Sequence, residues 1–187
     1  MQTIENSVLR VAVDEKGGQV LNLVNQNNQI DYLRDQDTRK NLEVAFKGAD
    51  RSENWAQLLP WTVIDKGDAQ VSLALIDDND SYQKFPYHFE AILTYLLEGN
   101  RVELKCYLKN NSHKDMPFSF AFTLPVFAGW SITERVNELE LTRDEITLKA
   151  EATNFELLAQ NEQIIAANDS TLKSDASVEF KLALTVS

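Results

Sequence analysis

The sequence predicts an all-β fold, an antiparallel β-sandwich, because apolar and polar residues alternate along several segments while helical periodicity is weak. The clearest alternation runs along Phe89–Leu97, stops at Gly99-Asn100 and resumes along Val102–Leu108. Two alternating runs joined by a short Gly-Asn turn are typical of an antiparallel hairpin. We therefore expect these two strands to pair, with these side chains facing the core: Phe89, Leu93, Val102, Leu104 and Cys106.

Further strands are expected along the rest of the chain. The last segment repeats the alternation, with Val178, Phe180, Leu182, Leu184 and Val186 on one face. Shorter candidates lie at Val8–Val13, Gln19–Val24, Val71–Ile76, Phe118–Phe127, Leu139–Thr142 and Glu145–Lys149. Short helices are expected at most near Asp35–Val44 and Asp50–Leu59, and Asp77–Asp80 reads as a turn. The polar stretch Gln26–Asn54 is expected to form loops at one end of the sandwich.

Length and charge limit the classes of function. A chain of 187 residues matches one ordinary domain, so we expect a single β-sandwich domain over residues 1–187. The formal net charge of −11 repels phosphate backbones and anionic lipids, which argues against nucleic-acid and membrane partners. No apolar window approaches membrane-spanning length, and Met1–Arg10 has no signal pattern, so we expect a cytoplasmic protein.

The small number of cysteine and histidine residues argues against metal and redox chemistry. The sequence contains one cysteine, Cys106, and two histidines, His88 and His113. This set cannot form an internal disulfide or furnish a zinc site of the usual composition. We therefore expect a reduced, metal-independent protein without a cofactor, in which Cys106 is a buried thiol rather than a nucleophile.

Five landmarks in the central part of the chain occur in a recognisable order. They are Pro60-Trp61-Thr62-Val63, the strand Val71–Ile76, Phe85-Pro86-Tyr87-His88-Phe89, a hairpin partner that closes at Asn110-Asn111, and Met116-Pro117-Phe118-Ser119-Phe120. In this order the segment from Leu59 to Phe127 resembles the galactose mutarotase-like (aldose 1-epimerase) family. The resemblance implies a galactose mutarotase-like supersandwich, trimmed because the chain is shorter than family members usually are.

The polar positions of the family pattern are where this sequence differs. The family's His-Gly-Phe-Ala-Arg segment falls on Glu53-Asn54-Trp55-Ala56-Gln57, so Glu53 replaces its histidine and Gln57 its arginine. A second family histidine falls on Leu124 or on Thr123. The resemblance therefore implies a sugar site formed by these residues: Glu53, Asn54, Trp55, Gln57 and Thr123. Loss of the arginine at Gln57 argues against a phosphosugar there, because arginine suits bidentate phosphate recognition.

Mutarotation opens a hemiacetal ring, which requires one group to accept the anomeric hydroxyl proton and another to protonate the ring oxygen. Family members resemble one another in using a glutamate near the carboxyl terminus as base and a histidine as acid. Here Glu156 and Glu162 are the candidates for the base. Glu53 is the candidate for the acid, a role that requires burial to raise its pKa towards neutrality.

Three functions follow, in order of preference. The first is a carbohydrate-binding, non-catalytic relative of aldose 1-epimerases whose small-molecule partner is a hexose. The second is an active aldose 1-epimerase that interconverts hexose anomers with relocated carboxylates. The third is a β-sandwich interaction module without a sugar site. Trp55, Trp61 and Trp130 offer stacking surfaces for a sugar ring, although tryptophan more often packs in a core or at its rim.

Overall fold

Strands dominate the computed structural model, which describes all 187 residues. The first ten strands are β1 (Gln2–Glu5), β2 (Leu9–Val13), β3 (Val20–Asn25), β4 (Ile30–Asp31), β5 (Arg34–Asp35), β6 (Thr38–Arg39), β7 (Glu43–Lys47), β8 (Thr62–Lys66), β9 (Gln70–Ile76) and β10 (Phe89–Glu98). The last eight are β11 (Arg101–Asn110), β12 (Met116–Pro125), β13 (Ser131–Arg135), β14 (Glu138–Arg143), β15 (Ile146–Thr153), β16 (Glu156–Gln160), β17 (Gln163–Leu172) and β18 (Ser177–Val186).

The strands form one large antiparallel sheet and three smaller ones. The eight-stranded sheet has the order β13-β14-β15-β18-β11-β10-β9-β8. A four-stranded sheet, β16-β17-β12-β7, is called the central small sheet below. The other four-stranded sheet, β1-β2-β3-β4, is called the amino-terminal sheet, and β5 and β6 form a separate hairpin. A single bridge between Val20 and Leu42 connects the amino-terminal sheet to the residue before β7. The predicted β-sandwich class is confirmed.

The core lies between the eight-stranded sheet and the central small sheet. Phe120 of β12 stacks on Phe180 of β18, with ring centroids 5.7 Å apart and planes 8° apart. Phe46 of β7 meets the ring of Phe89 of β10 edge to face at 5.0 Å. Aromatic contacts of this kind bury large apolar areas. Because 46 buried residues form one continuous cluster, we propose that residues 1–187 fold as one domain.

The predicted hairpin is confirmed. Strands β10 and β11 pair from Phe89↔Asn110 to Glu98↔Arg101, which places the turn at Gly99-Asn100. The side chains predicted to face inward are all buried: Phe89, Leu93, Val102, Leu104 and Cys106. The predicted last strand is confirmed as β18, which pairs with β11 and β15. The six shorter predicted strands correspond to β2, β3, β9, β12, β14 and β15 with shifted ends.

The expectation for Gln26–Asn54 is wrong. This stretch contains β4 to β7, and it contributes Leu33, Leu42, Val44 and Phe46 to the core. The helix considered within Asp35–Val44 is wrong as well, because β5, β6 and the start of β7 lie there. The physical reason is that a mostly polar segment still joins the core when residues distant in sequence fully enclose each of its few apolar side chains.

Both helices are short. Helix α1 (Trp55–Leu58) lies within the predicted segment Asp50–Leu59, whereas α2 (Asn79–Lys84) begins where a turn was predicted at Asp77–Asp80. Asp78 caps α2 by accepting a hydrogen bond from the Ser81 backbone N–H at 2.7 Å. The structure contains no helix of sufficient length and apolar character to span a membrane.

Candidate functional site

The outward face of the central small sheet has a flat middle and a polar border. Its side chains alternate between the core and this face, as strand geometry requires. One cross-strand row consists of Ala45, Ala121 and Ala167, whose small side chains leave the middle of the face low. The adjacent row consists of Glu43, Thr123 and Ile165. The face therefore leaves room for a ligand above the alanine row.

A cavity of about 360 Å³ lies at the end of this face that contains Thr123. Below it is called the Thr123 cavity, and it is lined by Arg39, Lys40, Asn41, Glu43, Thr123, Pro125, Asn161, Glu162 and Gln163. The turn between β16 and β17 supplies Asn161 and Glu162, and Gln163 is the first residue of β17. The Val126 backbone N–H donates to the Glu162 carbonyl at 2.9 Å. That bond holds the turn against the end of β12. Two carboxylates and three side-chain amides therefore converge on one polar cavity, as groups that recognise hydroxyls do.

The two candidates for a catalytic base lie apart. Glu162 lines the Thr123 cavity. Glu156 lines a different cavity of about 400 Å³, together with Asn154, Phe155, Ala167, Asn168, Asp169 and Ser170. The structure thus brings Thr123 and Glu162 together and leaves Glu156 at the other side of the same face.

The residues predicted around position 53 belong to the start of α1. Glu53 accepts a hydrogen bond from Lys84 Nζ at 3.1 Å, and its side chain is 30% exposed. Asn54 is the N-cap of α1, because its Oδ1 accepts from the Ala56 backbone N–H. The same side chain bonds to the free edge of β7, accepting from the Phe46 N–H at 3.0 Å and donating to the Val44 carbonyl at 3.3 Å. Asn54 therefore fixes the helix against the candidate face.

Trp55 and Gln57 have different environments. The Trp55 ring is 5% exposed and stacks on Phe85 with centroids 6.2 Å apart. Gln57 is exposed, and its side-chain amide lies against the Cα of Gly17. Neither residue lines the Thr123 cavity. In this structure Trp55 packs beneath the helix and Gln57 covers a turn of the amino-terminal part.

The two other tryptophans, His88 and Cys106 pack against neighbouring residues, and none of them lines the Thr123 cavity. Trp61 is buried and donates from Nε1 to the Ala56 carbonyl at 2.8 Å, while the Trp130 ring is covered by the Arg143 guanidinium at 4.7 Å. His88 Nδ1 lies 2.8 Å from Asp77 Oδ2. Burial raises the pKa of the Cys106 thiol, which keeps it protonated and inert at neutral pH. No three histidine, cysteine or carboxylate side chains are grouped to hold a metal ion.

Several lining residues were missed by the reasoning from sequence. Glu43 lies on β7, whose alternation spans only five residues, Glu43–Lys47, and was hidden in a polar stretch. Asn161 and Glu162 occupy the turn with positive φ angles of 51° and 60°. Asparagine tolerates this conformation, so an Asn-Glu turn between two alternating runs was the available signal.

Comparison with known proteins identifies the fold and a family match over part of the chain. The aldose 1-epimerase family model matches residues 48–123, which include α1, Thr123 and the hairpin. The structure of a galactose mutarotase-like protein from Lactobacillus casei superimposes with a TM-score of 0.80 and 14% identity, covering all of both chains. No protein of curated function matches the sequence significantly.

Two further solved structures share the fold. A galactose mutarotase related enzyme from Lactobacillus acidophilus has a TM-score of 0.74 at 11% identity, with 100% of this chain and 97% of that chain covered. A galactose mutarotase-like protein from Clostridium acetobutylicum has a TM-score of 0.70 at 13% identity, with 99% and 94% covered. The resemblance stated from the sequence is confirmed: the chain has the galactose mutarotase-like fold over its whole length and matches the aldose 1-epimerase family over residues 48–123.

Proposed function

We propose that this chain is a cytoplasmic protein that binds a neutral hexose in the Thr123 cavity and does not interconvert its anomers. Glu43, Glu162 and Gln163 bind sugar hydroxyls, and Thr123 contributes its own hydroxyl from the floor. Asn54 and Trp55 hold α1 in place beside the site. The family resemblance assigns Glu53 and Gln57 to the sugar site as well, and both lie in or next to α1, outside the Thr123 cavity.

The observation that supports binding is the composition of the cavity. Its nine lining residues are polar or charged except for Pro125. Carboxylates accept hydrogen bonds and amides both donate and accept them, so the set can satisfy both partners of each sugar hydroxyl. A docking surface for another protein typically has an apolar centre, which this cavity lacks.

The position of the imidazoles supports the absence of catalysis. His113 is 97% exposed in the turn before β12, and the His88 N–H bonds to Ser112 Oγ in the same turn at 2.7 Å. Thr123 lies seven residues beyond Met116, where β12 begins. At about 3.3 Å per residue, the histidines and the cavity are separated by roughly 23 Å of strand. No imidazole can therefore transfer a proton to a sugar bound at Thr123.

Binding is tested by isothermal titration calorimetry with glucose and galactose. We expect one site, and we expect Thr123→Val to weaken it about three- to tenfold, because one net hydrogen bond contributes about 0.5–1.5 kcal/mol. Thr62→Val, on an exposed position of β8, is the matched control and should leave affinity unchanged. Absence of hexose binding in the wild type would favour the interaction module.

Catalysis is tested by polarimetry of freshly dissolved α-D-glucose. We expect the uncatalysed rate, since loss of a general acid or base removes about 10²–10⁴-fold each. A relocated-carboxylate enzyme predicts instead a clear acceleration that Glu53→Gln or Glu162→Gln abolishes. Glu145→Gln, in the exposed turn between β14 and β15, is the control for the loss of one carboxylate.

A further inference from the structure

A third cavity, of about 460 Å³, lies on the outward side of the amino-terminal sheet. It is formed where β2, β3 and β4 meet the β5–β6 hairpin and the end of β14. Its lining side chains are Arg10, Asn22, Val24, Gln29, Ile30, Asp31, Arg34, Asp35, Gln36, Arg39 and Arg143. We call it the arginine cleft. It belongs neither to the central small sheet nor to the segment that the family model matches.

The charge of the arginine cleft is opposite to that of the protein. Four of the seven arginines in the sequence line it, against two aspartates, in a chain whose net charge is −11. Arg39 lies 3.7 Å from Asp31 and Arg143 lies 3.5 Å from Asp35. Arg10 and Arg34 form no ion pair, which leaves two positive charges in excess. Like charges gathered in one concavity repel each other unless an anion joins them.

The arginine cleft also contains an unsatisfied acceptor. Asn22 Oδ1 is the one buried side-chain nitrogen or oxygen atom of the structure that has no hydrogen-bond partner. Such atoms are rare because an unpaired buried polar group is destabilising. An anionic oxygen cannot satisfy an acceptor, whereas a hydroxyl can. A ligand that pairs with the arginines and also satisfies Asn22 therefore carries a negative group and a hydrogen-bond donor such as a hydroxyl, and it reaches Oδ1 when the side chains that cover this atom move aside.

We propose that the arginine cleft binds a small phosphate monoester that carries hydroxyl groups. A phosphate monoester has a charge of about −1.5 to −2 at neutral pH, which matches the two excess cations. Every basic residue of the cleft is an arginine, whose planar fork binds phosphate oxygens in pairs. Arg10 and Arg34 bind the phosphate, and Asn22 Oδ1 accepts from a ligand hydroxyl. Trp130, under the Arg143 guanidinium at 4.7 Å, holds that side chain at the border.

This site is independent of the proposed hexose site. Arg39 is the single residue that lines both cavities. Arg10, Asn22 and Arg34 line the arginine cleft and not the Thr123 cavity, so their variants report on the cleft. Failure of hexose binding at Thr123 leaves this proposal unaffected, and the reverse also holds.

The proposal is tested by calorimetry at constant ionic strength with four compounds: glycerol phosphate, inorganic phosphate, glycerate and glycerol. We expect glycerol phosphate to bind tightest with one site per chain. Inorganic phosphate, which lacks the glycerol hydroxyls, and glycerate, whose carboxylate carries only one negative charge, should bind more weakly, and glycerol not at all. Arg10→Gln and Arg34→Gln should each weaken glycerol phosphate at least about tenfold, because a charged hydrogen bond is lost. Arg135→Gln, on the exposed edge strand β13, is the matched control and should change affinity less than twofold.

Asn22→Ala separates the hydroxyl contact from the charge contact. It should weaken glycerol phosphate while leaving inorganic phosphate unchanged, and Asn22→Asp should weaken both. Thermal unfolding of each variant checks that the fold is intact. The proposal is overturned if glycerol phosphate does not bind at millimolar concentration, if Arg135→Gln weakens it as much as Arg34→Gln, or if glycerate binds more tightly than glycerol phosphate. Equal losses for both phosphates in Asn22→Ala would overturn the role of Asn22.

Discussion

The β10–β11 hairpin and the segment from Gln26 to Lys47 both contribute to one core, yet they reach it by different routes. The hairpin has ten residues in each strand, and alternate residues are buried along both. The earlier segment has three strands of two residues before β7. Its buried side chains are few and widely spaced, but Leu33, Val44 and Phe46 are as fully enclosed as those of the hairpin. Burial thus depends on the partners that surround a residue rather than on the regularity of its neighbours in sequence.

The largest expected effect tests whether the irregular segment is as important to stability as the hairpin. Phe46→Ala removes a ring that contacts Phe85, Phe89 and Phe120. We expect a loss of about 3–5 kcal/mol in the free energy of unfolding, similar to that for Leu93→Ala in the hairpin. Urea denaturation measures both.

Leu58→Ala is the control for these core variants, because Leu58 is 58% exposed on α1 and its truncation should change stability little. A loss below about 1 kcal/mol for Phe46→Ala would show that the segment is peripheral to the core.

The second effect concerns the turn between β2 and β3, which packs against the β10–β11 hairpin. Gly18 has a φ of +66°, and an added Cβ would lie 2.7 Å from Leu93 Cδ1. Gly18→Ala should therefore cost about 2–4 kcal/mol, from backbone strain together with overpacking. Gly99 also has a positive φ, but nothing lies within 4 Å of its added Cβ, so Gly99→Ala should show the strain alone. Equal losses of stability for Gly18→Ala and Gly99→Ala in thermal unfolding experiments would contradict the close packing of Gly18 against the hairpin.

A third effect tests the end of the hairpin. Asn110 is fully buried and donates from Nδ2 to the carbonyls of Lys114, Leu172 and Lys173 at 2.8, 3.0 and 3.1 Å. Asn110→Ala leaves these acceptors without their donor, and we expect a loss of about 1–3 kcal/mol. Asn111→Ala, at the next and exposed position, should be nearly neutral. Chemical denaturation of the two variants distinguishes a specific network from a general effect of the turn.

The smallest effect is a dependence on pH at the first strand. Hydrogen bonds from Gln2 and then from the amino terminus lower the pKa of Glu15 from 4.5 to about 2. A lowered folded-state pKa contributes stability above pH 4.5 that is lost as the pH falls towards 2. Because the pair is at the surface, we expect less than about 1 kcal/mol. The stability difference between the wild type and Glu15→Gln should shrink between pH 6 and pH 2.5, and a constant difference would contradict the assignment.

Local pattern determined the hairpin, the last strand and the family resemblance. Alternation along β10, β11 and β18 depends only on the pleat of a strand with one buried face, so it is visible without knowledge of the partners. The positions of Glu53, Gln57 and Thr123 followed from the order of short motifs. Short strands such as β4 and β5 have no such periodicity, and their burial was decided by contacts between distant segments.

Tertiary structure alone decided which polar residues share a site. Thr123 and Glu162 were predicted separately, and the antiparallel pairing of β12 with β17 brought them to one cavity. Arg10, Arg34 and Arg143 are far apart in the sequence and follow no motif, yet the sheets place them in one cleft. A sequence encodes side-chain direction along a strand through its periodicity, whereas convergence of side chains from several strands depends on sheet order, which no local pattern specifies.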